Sequence, residues 1–251
     1  MDEIIAHKGV ITIIQARMQS VRLPGKPLLP LGYKTILEHT ILRAKKALHT
    51  IPFVLACPEG ADSNPLRSLA DFLDVSYYEG SNEDPLARTL NAARYYEAET
   101  VVRICGCDPL IDPKMLAAAL SFQMESGRDI VTVGRLPYGT ACEVMPLRTL
   151  RRLDSILTSS IDRKYYVEYA MVNRNEFDTA FLPAPPKLAF PEIRLRVQTE
   201  SDYWFVQRLY DTVPPHKDGG MIELEDVIRS LYHQPDLLYQ NVESHAIVYR
   251  T

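Results

Sequence analysis

A chain of 251 residues, 46% of them hydrophobic, carries enough apolar material for one sizeable core. Its charged fraction is 24% and its formal net charge is -4, which excludes a basic protein that coats nucleic acid or is drawn wholesale to an anionic membrane. No apolar run approaches the ~20 residues needed to span a bilayer, and Met1 to Lys8 lacks the charged and apolar regions of a signal peptide. The cysteines, Cys57, Cys105, Cys107 and Cys142, are sparse. Without a secretion signal they read as reduced thiols, and the expected compartment is the cytoplasm. Cys105-Gly106-Cys107 has no second ligand pair at zinc-like spacing, so zinc is not expected there.

Val10 to Ile14 is a continuous β-branched run, the pattern of a strand buried on both faces. Apolar residues at helical spacing follow from Ile36 to Leu48. A strand is predicted over Pro52 to Ala56, a helix over Pro65 to Leu73 and a strand over Val75 to Tyr78. Asp84-Pro85 opens the next helix, to Tyr96, with an N-cap followed by proline at the first helical position. A strand at Thr100 to Ile104, a helix at Pro113 to Met124 and a strand at Asp129 to Val133 complete the alternation. Strands alternating with helices imply right-handed βαβ units and a parallel sheet, with ligands bound outside the strands' carboxyl ends.

From Pro137 to Pro191 the pattern loosens, and Pro183, Pro185, Pro186 and Pro191 mark a loop or extended arm. Helices are predicted at Leu147 to Leu157 and Ile161 to Val172, and a strand at Ile193 to Val197. Two helices follow, Glu200 to Tyr210 with Thr199 as N-cap, and Glu223 to Tyr232. His216 to Gly220 reads as a turn. No linker is long enough to split the chain, so residues 1–251 are expected to form a single domain.

The stretch Gln15 to Lys26 directly follows the first strand and holds Arg17, Arg22 and Lys26. No acidic residue occurs from Ile4 to Leu37 in an otherwise acidic chain. Positive charge is thus concentrated at a strand's carboxyl end. Arginine matches phosphate oxygens with paired hydrogen bonds, lysine adds a point charge, and backbone amides can cup the anion. A solvated basic loop would have the same composition.

Ala16 to Lys26 resembles the signature A-R-M-G-S-T-R-L-P-G-K of the spore-coat polysaccharide (SpsF-type) cytidylyltransferases, relatives of the acylneuraminate and ketodeoxyoctonate cytidylyltransferases. It departs only at Gln19 and Val21. Gly80 to Arg88 is similar to G-S-x-x-D-V-L-x-R, Arg103 to Asp112 to R-I-T-G-D-C-P-L-I-D, and Arg194 to Asp202 to R-L-T-V-D-T-P-E-D. Ile222 to Ile228 is similar to the family's last helix. The resemblance implies a Rossmann-like, glycosyltransferase-A-like three-layer α/β nucleotidyltransferase fold, with a mostly parallel central sheet and a β-arm. Residues 136–190 would be the arm or dimerisation insertion. It implies transfer of CMP from CTP, or from another nucleoside triphosphate, to a sugar or sugar acid with release of pyrophosphate, in activated-sugar or polysaccharide biosynthesis. Expected nucleotide-binding residues are Gln15, Ala16, Arg17, Arg22, Lys26 and Arg103; Glu143 would meet the sugar. The partners are then small molecules and a second copy of the chain, not nucleic acid or a membrane.

The family's metal-binding aspartates fall at Cys107 and Gln198 in this chain. A thiol is a poor ligand for a hard cation and an amide brings no charge. Asp108 is then the carboxylate expected to hold Mg2+ and, with Lys26, to serve catalysis. Two further family positions change, an aspartate to Ala141 and a histidine to Tyr165. With Gln19, these changes motivate a second expectation: a catalytically impaired homologue that binds a nucleotide or a sugar.

Overall fold

In a computed structural model, which describes residues 9–215 and 221–238, every position of β1 (Val10–Gln15) is buried. Val10 and Ile14 pack into one core, Ile11 and Ile13 into another on the opposite face of the sheet. That two-sided burial is why the run is uniformly apolar rather than alternating. The expected turn at His216 to Gly220 and the segment Met1 to Lys8 lie outside the described residues.

β1 stands between β4 (Phe53–Pro58) and β6 (Thr100–Cys105), parallel to both. β5 (Ser76–Gly80) extends the sheet beyond β4. On the other side come β8 (Glu143–Pro146), β7 (Ile130–Gly134) and β9 (Thr179–Pro183), giving a seven-stranded sheet in the order β5-β4-β1-β6-β8-β7-β9. Only β8 runs antiparallel to its neighbours. A short hairpin, β2 (Pro30–Leu31) with β3 (Lys34–Thr35), stands apart.

The helices cover both faces. α1 (Ile36–Ala47), α2 (Asn64–Phe72), α4 (Pro113–Ser126), α8 (Glu200–Thr212) and α9 (Leu224–Tyr232) contribute to the larger core; α3 (Pro85–Tyr95), α5 (Leu147–Ile156) and α7 (Tyr166–Val172) to the smaller. This is the α/β nucleotidyltransferase arrangement expected. α1 starts with a reciprocal Thr35–Glu38 capping box, and α8 with Thr199–Asp202. Asp84 caps α3 by accepting from the Ala87 amide at 2.9 Å, and Asp112 caps α4 by accepting from the Met115 amide at 2.9 Å.

The structure differs from the sequence-based elements in the following places, besides the hairpin of β2 with β3, for which no strands are predicted. The helix expected over Ile161 to Val172 is broken at Tyr165 into α6 (Ser160–Lys164) and α7. The strand expected at Ile193 to Val197 is an extended segment held by one isolated bridge, Tyr138 to Arg194. Within segment 136–190, for which no strand is predicted, β8 and β9 join the main sheet, with Val144 and Met145 buried in it.

Candidate functional site

The carboxyl ends of β1 and β6 meet because Gly106 lacks a side chain. Its amide donates to Gln15 O at 2.8 Å, and a Cβ there would lie 3.0 Å from Ala16 Cβ, from Gln15 O and from Leu37 Cδ1. Above this junction lies an open cleft of about 220 Å³. Arg17, Arg22 and Lys26 all line it, so the loop after β1 turns its cations onto one space. Gln15, Ala16 and Arg103 line it too. Glu83 and Glu168 are the carboxylate-bearing residues on its wall among the described residues.

Gln15 and Arg103 are also tied into the fold. The Gln15 amide donates to Thr89 Oγ1 at 2.6 Å, and its Oε1 accepts from Arg103 Nε at 2.9 Å. Arg103 Nη1 donates to Glu143 Oε2 at 2.7 Å, across a pair in register between β6 and β8. Glu143, expected at the sugar, is thus engaged by Arg103 and is not part of the cleft wall.

Asp108, expected to hold the metal, is fully buried and behind the wall. Arg196 Nε donates to its Oδ1 at 2.6 Å and Arg196 Nη2 to its Oδ2 at 2.7 Å, a two-pronged ion pair. Burial pushes the Asp108 carboxyl up to about 7 against the opposing pull of Arg196. Desolvation weighs against the charge of Arg196, but Asp108, Cys105 and Tyr138 together outweigh it and raise the guanidinium well above its ordinary value. The pair is therefore fully ionised only above neutral pH, where both of its hydrogen bonds are charge-assisted.

Arg196 was not foreseen from the sequence, although it stands where the family motif quoted above has threonine. It lines the cleft, and its Nη1 donates to the Tyr138 hydroxyl at 2.9 Å, with its guanidinium carbon 4.5 Å from the centre of the Tyr138 ring. Tyr138, Lys164 and Tyr165 also line the cleft. Gln198, at a family metal position, carries an Oε1 that accepts from Arg22 Nη1 and from Arg194 Nη2, each at 3.4 Å. Gln19 turns away and donates to Asp62.

Cys105 lies on the wall with its Sγ 2.9 Å from the buried Cys107 Sγ. Hydrogen bonding from Cys107 drives the Cys105 thiol well below its ordinary value against burial, helped by Arg196 and Arg103. The same contact pushes Cys107 up. Ligand atoms of Cys105, Cys107 and Asp108 lie within 4.8 Å of one another.

The residues do not suit a hard divalent ion such as Mg2+, which takes oxygen ligands and favours charged carboxylates. Both Asp108 oxygens are held by Arg196, Gln198 offers only an amide, Cys107 offers sulfur, and Asp202 accepts from the Gln198 and Thr199 amides at 2.9 and 2.8 Å.

A mostly parallel sheet with a cation-lined cleft at its strand ends fits the α/β nucleotidyltransferase fold. The chain belongs to the cytidylyltransferase family, whose model matches residues 11–244. It is 26% identical over 234 residues to the spore coat polysaccharide biosynthesis protein SpsF of Bacillus subtilis, covering 90% of this chain and 95% of that one. An uncharacterised protein of Methanocaldococcus jannaschii, MJ1063, is 28% identical over 235 residues, 94% of each chain. Among solved structures, a cytidylyltransferase from Leptospira borgpetersenii superposes with a TM-score of 0.83 at 28% identity, covering 92% of this chain and 97% of that one. A CMP:2-keto-3-deoxy-manno-octonic acid synthetase complexed with CTP shares the fold, with a TM-score of 0.61 at 16% identity over 80% of this chain and 98% of that one. So does Rv0371c of Mycobacterium tuberculosis, solved in complex with manganese, with a TM-score of 0.57 at 16% identity over 80% and 98%. Among the described residues, no helix is long and apolar enough to cross a membrane.

Proposed function

We propose that the cleft binds CTP, or another nucleoside triphosphate, and transfers its nucleotidyl group to a sugar or sugar acid in activated-sugar or polysaccharide biosynthesis. One observation carries this: Arg17, Arg22 and Lys26 face a single cleft at the carboxyl ends of β1 and β6. Three cations in one concavity suit a triphosphate, whose charge would otherwise be costly to desolvate. An acceptor hydroxyl oxygen would attack the α-phosphorus, losing its proton to solvent and forming a new P–O bond as the bond to the bridging α–β oxygen breaks. Pyrophosphate leaves with that bonding pair, and cations placed where its charge develops lower the barrier. The acceptor enters beside Lys164, Tyr165 and Glu168, which line the same cleft, and a second copy of the chain assembles through segment 136–190.

A second function is favoured by a specific observation: Asp108, the carboxylate expected to hold Mg2+, is fixed by Arg196. The same pocket would then bind a nucleotide or sugar without turnover. The discriminating experiment incubates the protein with CTP, ATP, GTP or UTP and a panel of sugars and sugar acids, with and without Mg2+, and measures pyrophosphate. Acceptor-dependent release supports transfer. Binding by calorimetry without release under any condition supports the binding function, and no binding of any triphosphate rejects both.

A further inference from the structure

The donors in the cleft disagree with the magnesium that the family resemblance implies, and their arrangement indicates what replaces it. We propose that this site takes its nucleoside triphosphate without a divalent cation, and that Arg196 supplies the fixed positive charge in the ion's stead. This rests on the nucleotide-binding function proposed above.

Arg196 is positioned as few surface arginines are. Its side chain is 12% exposed and Asp108 is not exposed at all. The guanidinium is fixed in its plane by both oxygens of Asp108 and by the Tyr138 hydroxyl. Its backbone is held as well. Leu195 N and Arg196 N both donate to Tyr138 O, at 2.8 and 3.1 Å, and Tyr138 N donates to Ile193 O at 2.8 Å. Gly139 permits that approach: its φ is +91°, and a Cβ there would sit 2.5 Å from Arg196 Cβ and 2.6 Å from Arg196 N.

A guanidinium has five N–H donors. Asp108 and Tyr138 accept from three of them. The others remain for a phosphate oxygen in the cleft that Arg196 lines. A side chain already ordered loses little entropy on binding an anion, so its contribution exceeds that of a mobile surface arginine.

The carboxylates near the cleft floor point to the same conclusion. Asp108 and Glu143 each face an arginine, and Asp112 and Asp202 cap helices. The wall itself carries two carboxylate residues, Glu83 and Glu168, among a larger number of arginines and lysines that include Arg17, Arg22, Lys26 and Arg196. Like charges a few ångströms apart repel by several kcal/mol in a partly desolvated site, so a divalent ion gains little there. The anion's charge is instead met by side chains already in place.

The test is isothermal titration calorimetry of the full chain with CTP and with inorganic pyrophosphate, in excess EDTA and again in excess Mg2+. The expected result is binding in EDTA at least as tight as in Mg2+, because the ion competes with the protein for the phosphates. Arg196→Met should weaken binding in EDTA by about tenfold or more, the loss of charge-assisted hydrogen bonds. Because that variant leaves Asp108 buried and unpaired, the double variant Asp108→Asn/Arg196→Met provides a neutral pair, with folding checked by its melting transition. It should show the same loss. Affinity that rises tenfold or more on adding Mg2+ overturns the proposal while leaving the nucleotide-binding function intact, as does a folded double variant that binds like the parent. No binding of either probe in either condition overturns both.

Discussion

Replacing Gly139 by alanine tests the coupling between the Tyr138 turn and Arg196. Two costs add. At φ +91° an L-residue is strained, by about 1–3 kcal/mol. The new Cβ would also meet Arg196 Cβ, N and Cα at 2.5, 2.6 and 2.7 Å. Carbon atoms rest at about 3.5–4.0 Å, so the turn must retreat by roughly 1 Å. Retreat stretches the bonds from Leu195 N and Arg196 N to Tyr138 O, worth about 1 kcal/mol each. The sum is a destabilisation of about 3–5 kcal/mol, read as a shifted midpoint in urea unfolding. CTP affinity should fall with it, because Arg196 loses its support. Gly32→Ala is the control: its φ is +57° and nothing lies within 4 Å of the added Cβ, so it reports backbone strain alone. If Gly139→Ala costs no more than Gly32→Ala and binds CTP like the parent, the coupling argued here is wrong.

Other outcomes follow from the same geometry. Arg103→Met leaves the partly exposed Glu143 opposite an apolar side chain and should cost about 1.5–3 kcal/mol in urea unfolding, the range for hydrogen bonds to charged groups; a loss under about 1 kcal/mol would refute the role given to that pair. Arg43 is buried and donates to Ile111 O and Ile222 O, each at 2.7 Å. Arg43→Met strands both carbonyls and should cost about 2–5 kcal/mol, measured in the same assay. Limited iodoacetamide at neutral pH should label Cys105 before Cys57, whose thiol burial pushes up to about 12, and before Cys142, which burial also raises. Peptide mass spectrometry showing Cys57 or Cys142 modified first would contradict it. Burial holds His39 below its ordinary 6.5 while its Nε2 contacts Leu31 O at 2.9 Å. A depressed histidine contributes stability that is present above pH 6.5 and lost as pH falls through the folded value. His39→Gln should therefore flatten the fall in melting temperature between neutral pH and pH 5, and an unchanged slope would exclude His39 as its source.

The half of the fold ending at β7 was legible because each element there obeys one dominant rule. β1 is apolar throughout since both its faces are covered, and α3 announces itself with an N-cap aspartate before proline. β8 escaped because it is four residues long, begins on a charged Glu143 and ends on Pro146. Its place in the sheet depends on Arg103, forty residues away, which no local pattern reports. The break at Tyr165 had no glycine or proline to mark it. In the site, the cationic loop after β1 was readable from local charge, and Arg17, Arg22 and Lys26 all line one cleft. Arg196 was not, because its meaning depends on Asp108. Its alternation with Arg194 along an extended run is equally the pattern of a strand's solvent face.

Asp108 and Arg196 make sense only together, and this bears on whether the site has decayed. Either residue alone would be a buried, uncompensated charge, costing about 3–5 kcal/mol by comparison with broken buried pairs. A pocket losing its role would be expected to fill with neutral side chains, since an apolar pair of similar volume is often no less stable than an ion pair. Here the turn after β6 and the segment before α8 instead build a two-pronged pair, brace it with Tyr138 and keep its outer edge on the cleft that Arg17, Arg22 and Lys26 share. Burying that pair contributes little to stability, so stability does not explain it. A fixed cation on the wall of the cleft proposed to bind a nucleotide does, and it accounts at once for a carboxylate turned away from solvent and for an arginine where the family motif quoted above has threonine.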